Sequence, residues 1–144
     1  MIENSEKTLG GCQCGKIRYE VDEPPYQVGY CHCKMCRKSV GNLFATWAFV
    51  RREHFRFTGE EPTWYTLTTA RRGFCSQCGS PICWEHLVSD SFSVTAGSLD
   101  EPEKFEPQVH YNLEEKIPWV DIHANLRDAT AEGPSRLYDT YDKD

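Results

Sequence analysis

The chain has 144 residues and a net charge of −6, and 39% of its residues are hydrophobic and 26% charged. This composition is typical of one ordinary globular domain and excludes a disordered chain. No apolar run approaches the roughly 18 residues of a membrane span, and the first residues lack the pattern of a secretory signal. We therefore expect a cytoplasmic protein without a membrane span.

Basic and acidic side chains are unevenly distributed along the chain. Residues 34–72 carry eight Lys or Arg against three Asp or Glu, whereas residues 100–144 carry five against twelve. Most of these charges are expected to lie on solvated faces, although the basic middle could attract an anionic ligand. A nucleic-acid partner is not expected, because a chain with a pI near 5.4 lacks the overall basic surface of such proteins.

Short β-strands are predicted along most of the chain. Residues 15–21 alternate apolar and polar side chains, which is the period-two pattern of a half-buried strand. Similar strands are predicted, in chain order, at residues 43–50, 54–58, 63–67, 92–96 and 108–113. Turns rich in proline, glycine and acidic residues separate them. With one short helix predicted at residues 34–40, the pattern indicates a mainly β, compact domain of antiparallel strands.

The chain contains eight cysteines, and their spacing is more informative than their number. They form a CxC pair, a CxCxxC cluster, a CxxC pair and one isolated cysteine: Cys12, Cys14, Cys31, Cys33, Cys36, Cys75, Cys78 and Cys83. Eight cysteines allow 105 disulfide pairings, but cytoplasmic thiols are kept reduced and neighbours one residue apart rarely meet disulfide geometry. Metal binding fits better, because CxC and CxxC turns direct two sulfur atoms toward one point.

The two outer pairs can be combined into one closed site. A tetrahedral four-cysteine site is usually built from two such turns, and Cys12 with Cys14 and Cys75 with Cys78 would supply them. Gly79 follows the second ligand of the CxxC pair and permits the positive φ of a tight turn. Zinc at this site would close a long loop and would add folding free energy directly.

Cys31, Cys33 and Cys36 then remain as a group of three thiols. Three protein ligands with a free fourth position distinguish catalytic zinc from structural zinc. Two residues could instead close this site. His32 lies between two ligands, so its side chain should point away from the metal. Cys83 lies in the otherwise apolar run PICW, where a buried free thiol is its simplest role.

Five segments of the sequence resemble the family of glutathione-dependent formaldehyde-activating enzymes, which also includes centromere protein V. The segments are GGCQCGKIRYEV, YCHCKMCRKSVGNLFATW, RRGFCSQCGSPICW, VTAGSLDEPEKFEPQVHYN and IPWV. The resemblance covers a zinc-binding domain at about residues 9–126 and leaves residues 127–144 as an acidic C-terminal tail. It implies a compact, Mss4-like β-tent fold with two zinc ions. By this likeness the structural zinc is bound by Cys12, Cys14, Cys75 and Cys78, and the catalytic zinc by Cys31, Cys33 and Cys36.

The activity that the resemblance implies is that of a carbon–sulfur lyase or synthase. The family joins a small-molecule thiol, glutathione, to a small carbonyl compound, formaldehyde, and gives S-hydroxymethylglutathione reversibly. Basic residues near the second cluster are candidates to attract the carboxylates of glutathione: Arg37, Lys38, Arg51 and Arg52. Phe44 and Trp47 are expected in the core or a pocket wall, and His110 and Trp119 match family positions.

The catalytic acid or base stays unknown at this stage, because no residue in the sequence stands out for that role. The alternative function is a non-catalytic, zinc-stabilised binding module for a protein or chromatin partner. An extended basic tail would favour that alternative, whereas residues 100–144 of this chain are predominantly acidic. The enzyme is therefore the preferred hypothesis.

Overall fold

The computed structural model describes residues 6–122 of the chain. In this range the chain forms ten strands, one α-helix and short 3₁₀ turns. The strands are β1 (Thr8–Gly11), β2 (Arg18–Val21), β3 (Gln27–Cys31), β4 (Ala45–Phe49), β5 (Phe55–Phe57), β6 (Thr63–Leu67), β7 (Ala70–Phe74), β8 (Pro81–His86), β9 (Phe92–Thr95) and β10 (Val109–Tyr111); the helix is α1 (Lys34–Val40). The predicted acidic tail at residues 127–144 lies outside the described residues.

The strands form two sheets. The smaller sheet has the order β1-β2-β5, and the larger sheet has the order β10-β3-β4-β9-β8-β7-β6. Nine of the ten strands pair in antiparallel fashion, but β10 runs parallel to β3. The predicted mainly β, mainly antiparallel fold is confirmed, and β10 beside β3 is the one parallel pair among the described strands. The reason is the long connection at residues 96–108, which crosses the sheet after β9 and returns the chain in the same direction.

The hydrophobic core lies between the two sheets. The large sheet contributes buried side chains that alternate along β3, β4, β8 and β9, and the small sheet contributes the buried Tyr19 and Val21 of β2. Phe55 and Phe57 of β5 pack against the same cluster. Removing this apolar surface from water is the main stabilisation of the layers, at about 25 cal/mol per Å² buried.

The opposite face of the large sheet carries a row of side chains in register. Six residues pair as direct neighbours across β3, β4, β9, β8, β7 and β6: Gln27, Phe49, Ser93, Trp84, Arg72 and Tyr65. Side chains that pair in one row point to the same face of a sheet. This row therefore faces away from the core, toward the side where β3 leads into α1.

The structure confirms most predicted elements and adds four strands. Helix 34–40 is present, and the strands predicted from residue 43 onward are found to within a few residues. The strand predicted at 15–21 begins only at Arg18, because residues 12–17 turn around Cys12. The added strands, β1, β3, β7 and β8, contain glycine or cysteine, which obscured their alternation. No helix within residues 6–122 combines the length and apolar character of a membrane span.

Candidate metal centres

Cys12, Cys14, Cys75 and Cys78 form a four-thiol group, in which all sulfur atoms lie within 4.8 Å of one another. The Sγ atoms of Cys12 and Cys14 are 3.5 Å apart, and those of Cys14 and Cys75 are 3.7 Å apart. Zinc–sulfur bonds of about 2.3 Å in a tetrahedron place sulfur atoms about 3.8 Å apart. All four thiols are free, so the group has the donors and the spacing to hold a zinc ion.

Two similar turns shape the four-thiol group. Gly15 and Gly79 have φ angles of +84° and +81°, and their amides donate to the carbonyl oxygens of Cys12 and Cys75 at 3.2 and 2.8 Å. A positive φ is readily adopted only by glycine. The amide of Ile17 donates to the Cys12 sulfur at 3.2 Å, an arrangement that stabilises a thiolate.

The four-thiol group joins distant parts of the chain. Cys12 and Cys14 follow β1, whereas Cys75 and Cys78 lie between β7 and β8, and the hydrogen-bonded pair Cys14 and Cys75 is 61 residues apart. Cys75 is 1% exposed. The group therefore cross-links the small sheet to a hairpin of the large sheet.

Cys31, Cys33 and Cys36 form a three-thiol group, also with all sulfur atoms within 4.8 Å. Cys31 ends β3, Cys33 caps α1 and Cys36 lies in its first turn. The Cys33 sulfur accepts a hydrogen bond from the Cys36 amide at 3.3 Å, and it lies 3.5 Å from the Cys31 sulfur. The strand-to-helix turn thus brings three donors together at zinc-like spacing.

Neither sequence candidate for a fourth ligand belongs to the three-thiol group. His32 is 1% exposed and turns away from the thiols, with its Nε2 atom 2.9 Å from Nδ1 of His110. Cys83 is buried in the core between the sheets, where burial raises the pKa of its thiol to about 12. Among residues 6–122, no fourth cysteine, histidine, aspartate or glutamate completes the group.

Arg72 contacts the three-thiol group and was not identified from the sequence. Its Nη2 atom lies 3.6 Å from the Cys36 sulfur, and its Nη1 atom donates to Ser39 Oγ at 2.9 Å. Hydrogen bonding from the Cys31 thiol and then from Arg72 lowers the pKa of Cys36 to about 5. Arg72 forms no ion pair with another residue of the described range.

The alternation of side chains along a strand explains why Arg72, and not its neighbour Arg71, faces the three-thiol group. The two residues are adjacent on β7 and therefore point to opposite faces. Arg71 forms an ion pair with the buried Glu85 and stacks over the Trp64 ring. Arg72 is left to face the three-thiol group, and this could have been predicted only once β7 had been recognised as a strand.

A cavity of about 300 Å³ adjoins the three-thiol group. All three cysteines line it, together with aromatic side chains and a few polar groups. A second cavity of about 580 Å³ shares Met35, Trp47 and Arg72 with the first, and is also lined by Lys38. The three-thiol group therefore faces open space that a ligand could enter.

The other candidate residues lie in different places. Lys38 lines the larger cavity, but Arg51 and Arg52 line neither cavity and form ion pairs with Glu23 and Glu85. Arg37 also lies outside the linings of these two cavities.

The predicted aromatic and histidine candidates do not lie together. Trp47 is 4% exposed and forms a wall of both cavities, as expected. Phe44 instead contacts Tyr30 and His32. His110 pairs with His32, and Trp119 is 73% exposed and lines neither cavity. Only Trp47 among these four is therefore placed to contact a ligand there.

Fold and site together define a mainly β domain with two cysteine groups that could each hold a metal ion. The sequence profile of the family described as "Glutathione-dependent formaldehyde-activating enzyme" matches residues 7–115. A curated protein of Halomonas elongata, which carries the provisional name of a glutathione-dependent formaldehyde-activating enzyme, is 32% identical over 134 residues, with 83% of each chain covered. The chain therefore belongs to the glutathione-dependent formaldehyde-activating enzyme family, which confirms the resemblance found in the sequence.

A solved structure supports the fold. The crystal structure of a Rhodobacter sphaeroides protein matches with a TM-score of 0.58 and 25% sequence identity. The match covers 71% of this chain and 98% of that chain. The mainly β fold expected from the sequence is therefore found in an experimentally solved relative as well.

Proposed function

We propose that the protein is a zinc-dependent carbon–sulfur lyase or synthase that acts on the thiol adduct of a small carbonyl compound. The observation that carries this proposal is the three-thiol group, which has no fourth described ligand and faces a cavity. In this proposal Cys31, Cys33 and Cys36 hold the catalytic zinc, and Cys12, Cys14, Cys75 and Cys78 hold the structural zinc. Family membership supports an enzyme with glutathione and formaldehyde as its reactants.

The reaction requires no oxidant or reductant. A carbon–sulfur bond forms between the thiol sulfur and the carbonyl carbon, and the proton of the thiol ends on the carbonyl oxygen. The reverse reaction breaks the same bond. Zinc, when bound, would supply a Lewis acid that favours the deprotonated thiol or polarises the carbonyl group. Holding both reactants side by side would remove much of the entropic barrier to their encounter.

The residues around the three-thiol group have separate roles in this proposal. The Asn112 amide donates to the Cys31 sulfur at 3.6 Å and would hold that thiolate in place. The Arg72 guanidinium would stabilise negative charge on the thiol or on the developing oxyanion, because preorganised positive charge acts strongly in a partly dry site. Lys38 and Arg72 both line the larger cavity, where they could attract a carboxylate of glutathione.

The proposal assigns no side chain as general acid or base. Among the described residues, no aspartate, glutamate or histidine lines the cavity beside the three thiols. Tyr111 lines this cavity, but its hydroxyl donates to Gln27 at 2.5 Å. His110 pairs with Tyr30 of β3, so it lies on the other face from Tyr111. We therefore expect the proton to move through solvent or directly between the reactants.

Exchange NMR on glutathione and formaldehyde tests the proposed reaction. Zinc-loaded protein at micromolar concentration should increase the exchange rate between free glutathione and S-hydroxymethylglutathione. The variant Cys33→Ser should lose this increase, while Ser76→Ala, an exposed change in the four-thiol turn, should keep it. If wild-type protein gives no increase, the reaction of glutathione with formaldehyde is wrong, whereas the broader class of carbon–sulfur lyase is not contradicted.

A further inference from the structure

We propose that the cavity beside the three-thiol group receives a flat apolar group, such as an aromatic ring, attached to the carbon that is joined to sulfur. The inference rests on the proposed function, because it names the class of carbonyl compound that the same site would accept. The carbonyl half of the adduct would then be an aromatic aldehyde or a compound of similar shape, and considerably larger than formaldehyde.

The walls of this cavity are mainly aromatic. Trp47, Phe49, Trp84 and Tyr111 line it, and the Phe49 and Tyr111 rings are 5.4 Å apart at 70°. Its volume is about 300 Å³, which lies at the lower end of the range for small-molecule sites. A water molecule takes about 30 Å³ in the liquid, so a one-carbon carbonyl compound would leave most of this space without contacts. An aromatic ring would fill it and stack on the walls.

Ser93 creates the space and leaves a polar atom inside it. Ser93 pairs directly with Phe49 on one side and Trp84 on the other, so a small side chain stands between two large ones on the cavity floor. It is 1% exposed, and its Oγ atom has no hydrogen-bond partner among the described residues. A buried hydroxyl without a partner is costly. A polar atom of the ligand would satisfy it.

The charged groups of this cavity also suit a ligand that has an uncharged ring and one oxygen atom. Apart from the three cysteines, Arg72 is the single charged side chain among the described lining residues. Its guanidinium carbon lies 5.9 Å from the Trp47 ring centroid, an arrangement that favours a further π face nearby. The same guanidinium can stabilise an oxyanion next to the thiols. A ligand with several charges would find no further partners in this cavity.

A binding comparison between two small thiols tests this inference without requiring turnover. Phenylmethanethiol reproduces the sulfur, the adduct carbon and a flat ring, whereas ethanethiol keeps the sulfur and carbon but lacks the ring. Titration calorimetry on the zinc-loaded full chain should give at least tenfold tighter binding of phenylmethanethiol. Metal content measured after each titration verifies that the thiols have not removed zinc.

Variants locate the preference in this cavity. Ser93→Leu should fill the floor and reduce the preference to about twofold or less, and Trp84→Leu should weaken it by removing one aromatic wall. Trp119→Leu changes an exposed tryptophan outside both cavities and should leave the preference unchanged. Equal binding of the two thiols by wild-type protein, or a preference that survives both cavity variants, would overturn the inference.

The outcome can be separated from that of the proposed function. A ring preference without any increase in adduct exchange contradicts the reaction with formaldehyde and supports the assignment of the cavity. Adduct exchange with formaldehyde but no ring preference supports the proposed reaction and contradicts the assignment of the cavity.

Discussion

The two cysteine groups differ in how much of the chain they join. The four-thiol group takes its donors from two segments 61 residues apart, measured between Cys14 and Cys75. The three-thiol group takes all its donors from residues 31–36, around the start of one helix. A metal that joins distant segments restricts the unfolded chain, whereas one bound within six residues restricts it little. The four-thiol arrangement is therefore suited to stabilising the fold. The three-thiol group contributes little to the fold and is available to bind a reacting ligand.

The surroundings of the two cysteine groups also indicate a structural role for the four-thiol group and a chemical role for the three-thiol group. Near the four-thiol group, backbone amides and the Ser80 hydroxyl contact the sulfur atoms, with Ser80 Oγ 3.2 Å from the Cys78 sulfur. Near the three-thiol group, the guanidinium of Arg72 contacts Cys36 and faces a cavity. A positively charged side chain beside a group of only three ligands could stabilise a reacting ligand. The comparison predicts that similar substitutions in the two groups have different consequences.

The largest effect is expected for Cys75→Ser in the four-thiol group. Structural zinc sites contribute apparent binding free energies of about 10–16 kcal/mol, which is comparable to or larger than the usual stability of a domain. We expect the variant to lose cooperative thermal unfolding, as followed by circular dichroism, and to lose the structural zinc, as measured by mass spectrometry. Ser76→Ala in the same turn is the control. A variant that still melts cooperatively near the wild-type temperature would contradict the structural role.

Cys36→Ser in the three-thiol group should remove function and leave the fold in place. The metal content is expected to fall from two zinc ions per chain to one, because two cysteines alone bind zinc weakly. Adduct exchange should fall to the uncatalysed rate, while the melting temperature changes by only a few degrees. Loss of both metals or of the folded state would show that this group is structural too, and the contrast between the two groups would then fail.

Arg72→Leu should reduce activity without removing either metal. Loss of one preorganised charge contact in an active site typically costs about 10²–10³-fold in rate; because Arg72 is only partly buried, we expect about 10 to 100-fold in kcat/KM. Arg51→Leu is the matched control, since Arg51 forms a 3.9 Å ion pair with Glu23 and neither residue lines either cavity. An equal loss in both variants would indicate a general effect of net charge and not a role at this site.

Much of the fold and the grouping of the cysteines could be predicted from the sequence. Alternation identified strands such as β6, and CxC and CxxC spacing separated four thiols from three, because these patterns are local. The pairing of β10 beside β3 and the row from Phe49 through Ser93 to Trp84 could not be predicted. They depend on strand order, which brings together residues far apart in the chain, such as Phe49 beside Ser93 and Val109 beside Gly29.

The residues that line the cavity were even harder to predict from the sequence than the strand order. A lone Ser93 in a predicted strand carries no sign of function, and Arg72 looks equivalent to Arg71 in the sequence. Their roles arise only when β7, β8, β9 and β4 lie side by side. Register, and not residue type, therefore determines which polar groups reach the three thiols.

The smallest effect is expected for Cys83, which lies in the core and belongs to neither group. Cys83→Ala should retain two zinc ions and lower the free energy of unfolding by about 1–2 kcal/mol through lost packing. Cys83→Ser should cost more, because its hydroxyl would be buried in an apolar site. Urea denaturation and metal analysis of the two variants measure these effects. Loss of one zinc in Cys83→Ala would make Cys83 the fourth ligand and close the three-thiol site.

Alkaline pH gives an independent check on the same thiol. Burial raises the pKa of Cys83 from 9.0 to about 12 in the folded protein, so between these values the unfolded chain releases a proton that the folded chain keeps. The thiol therefore reduces the free energy of unfolding as pH rises from about 9 toward 12. Cys83→Ala lacks this contribution, and its stability should decline less steeply over that interval than that of the wild type. Equal slopes would mean that Cys83 already ionises in the folded state, as a metal-bound thiolate would.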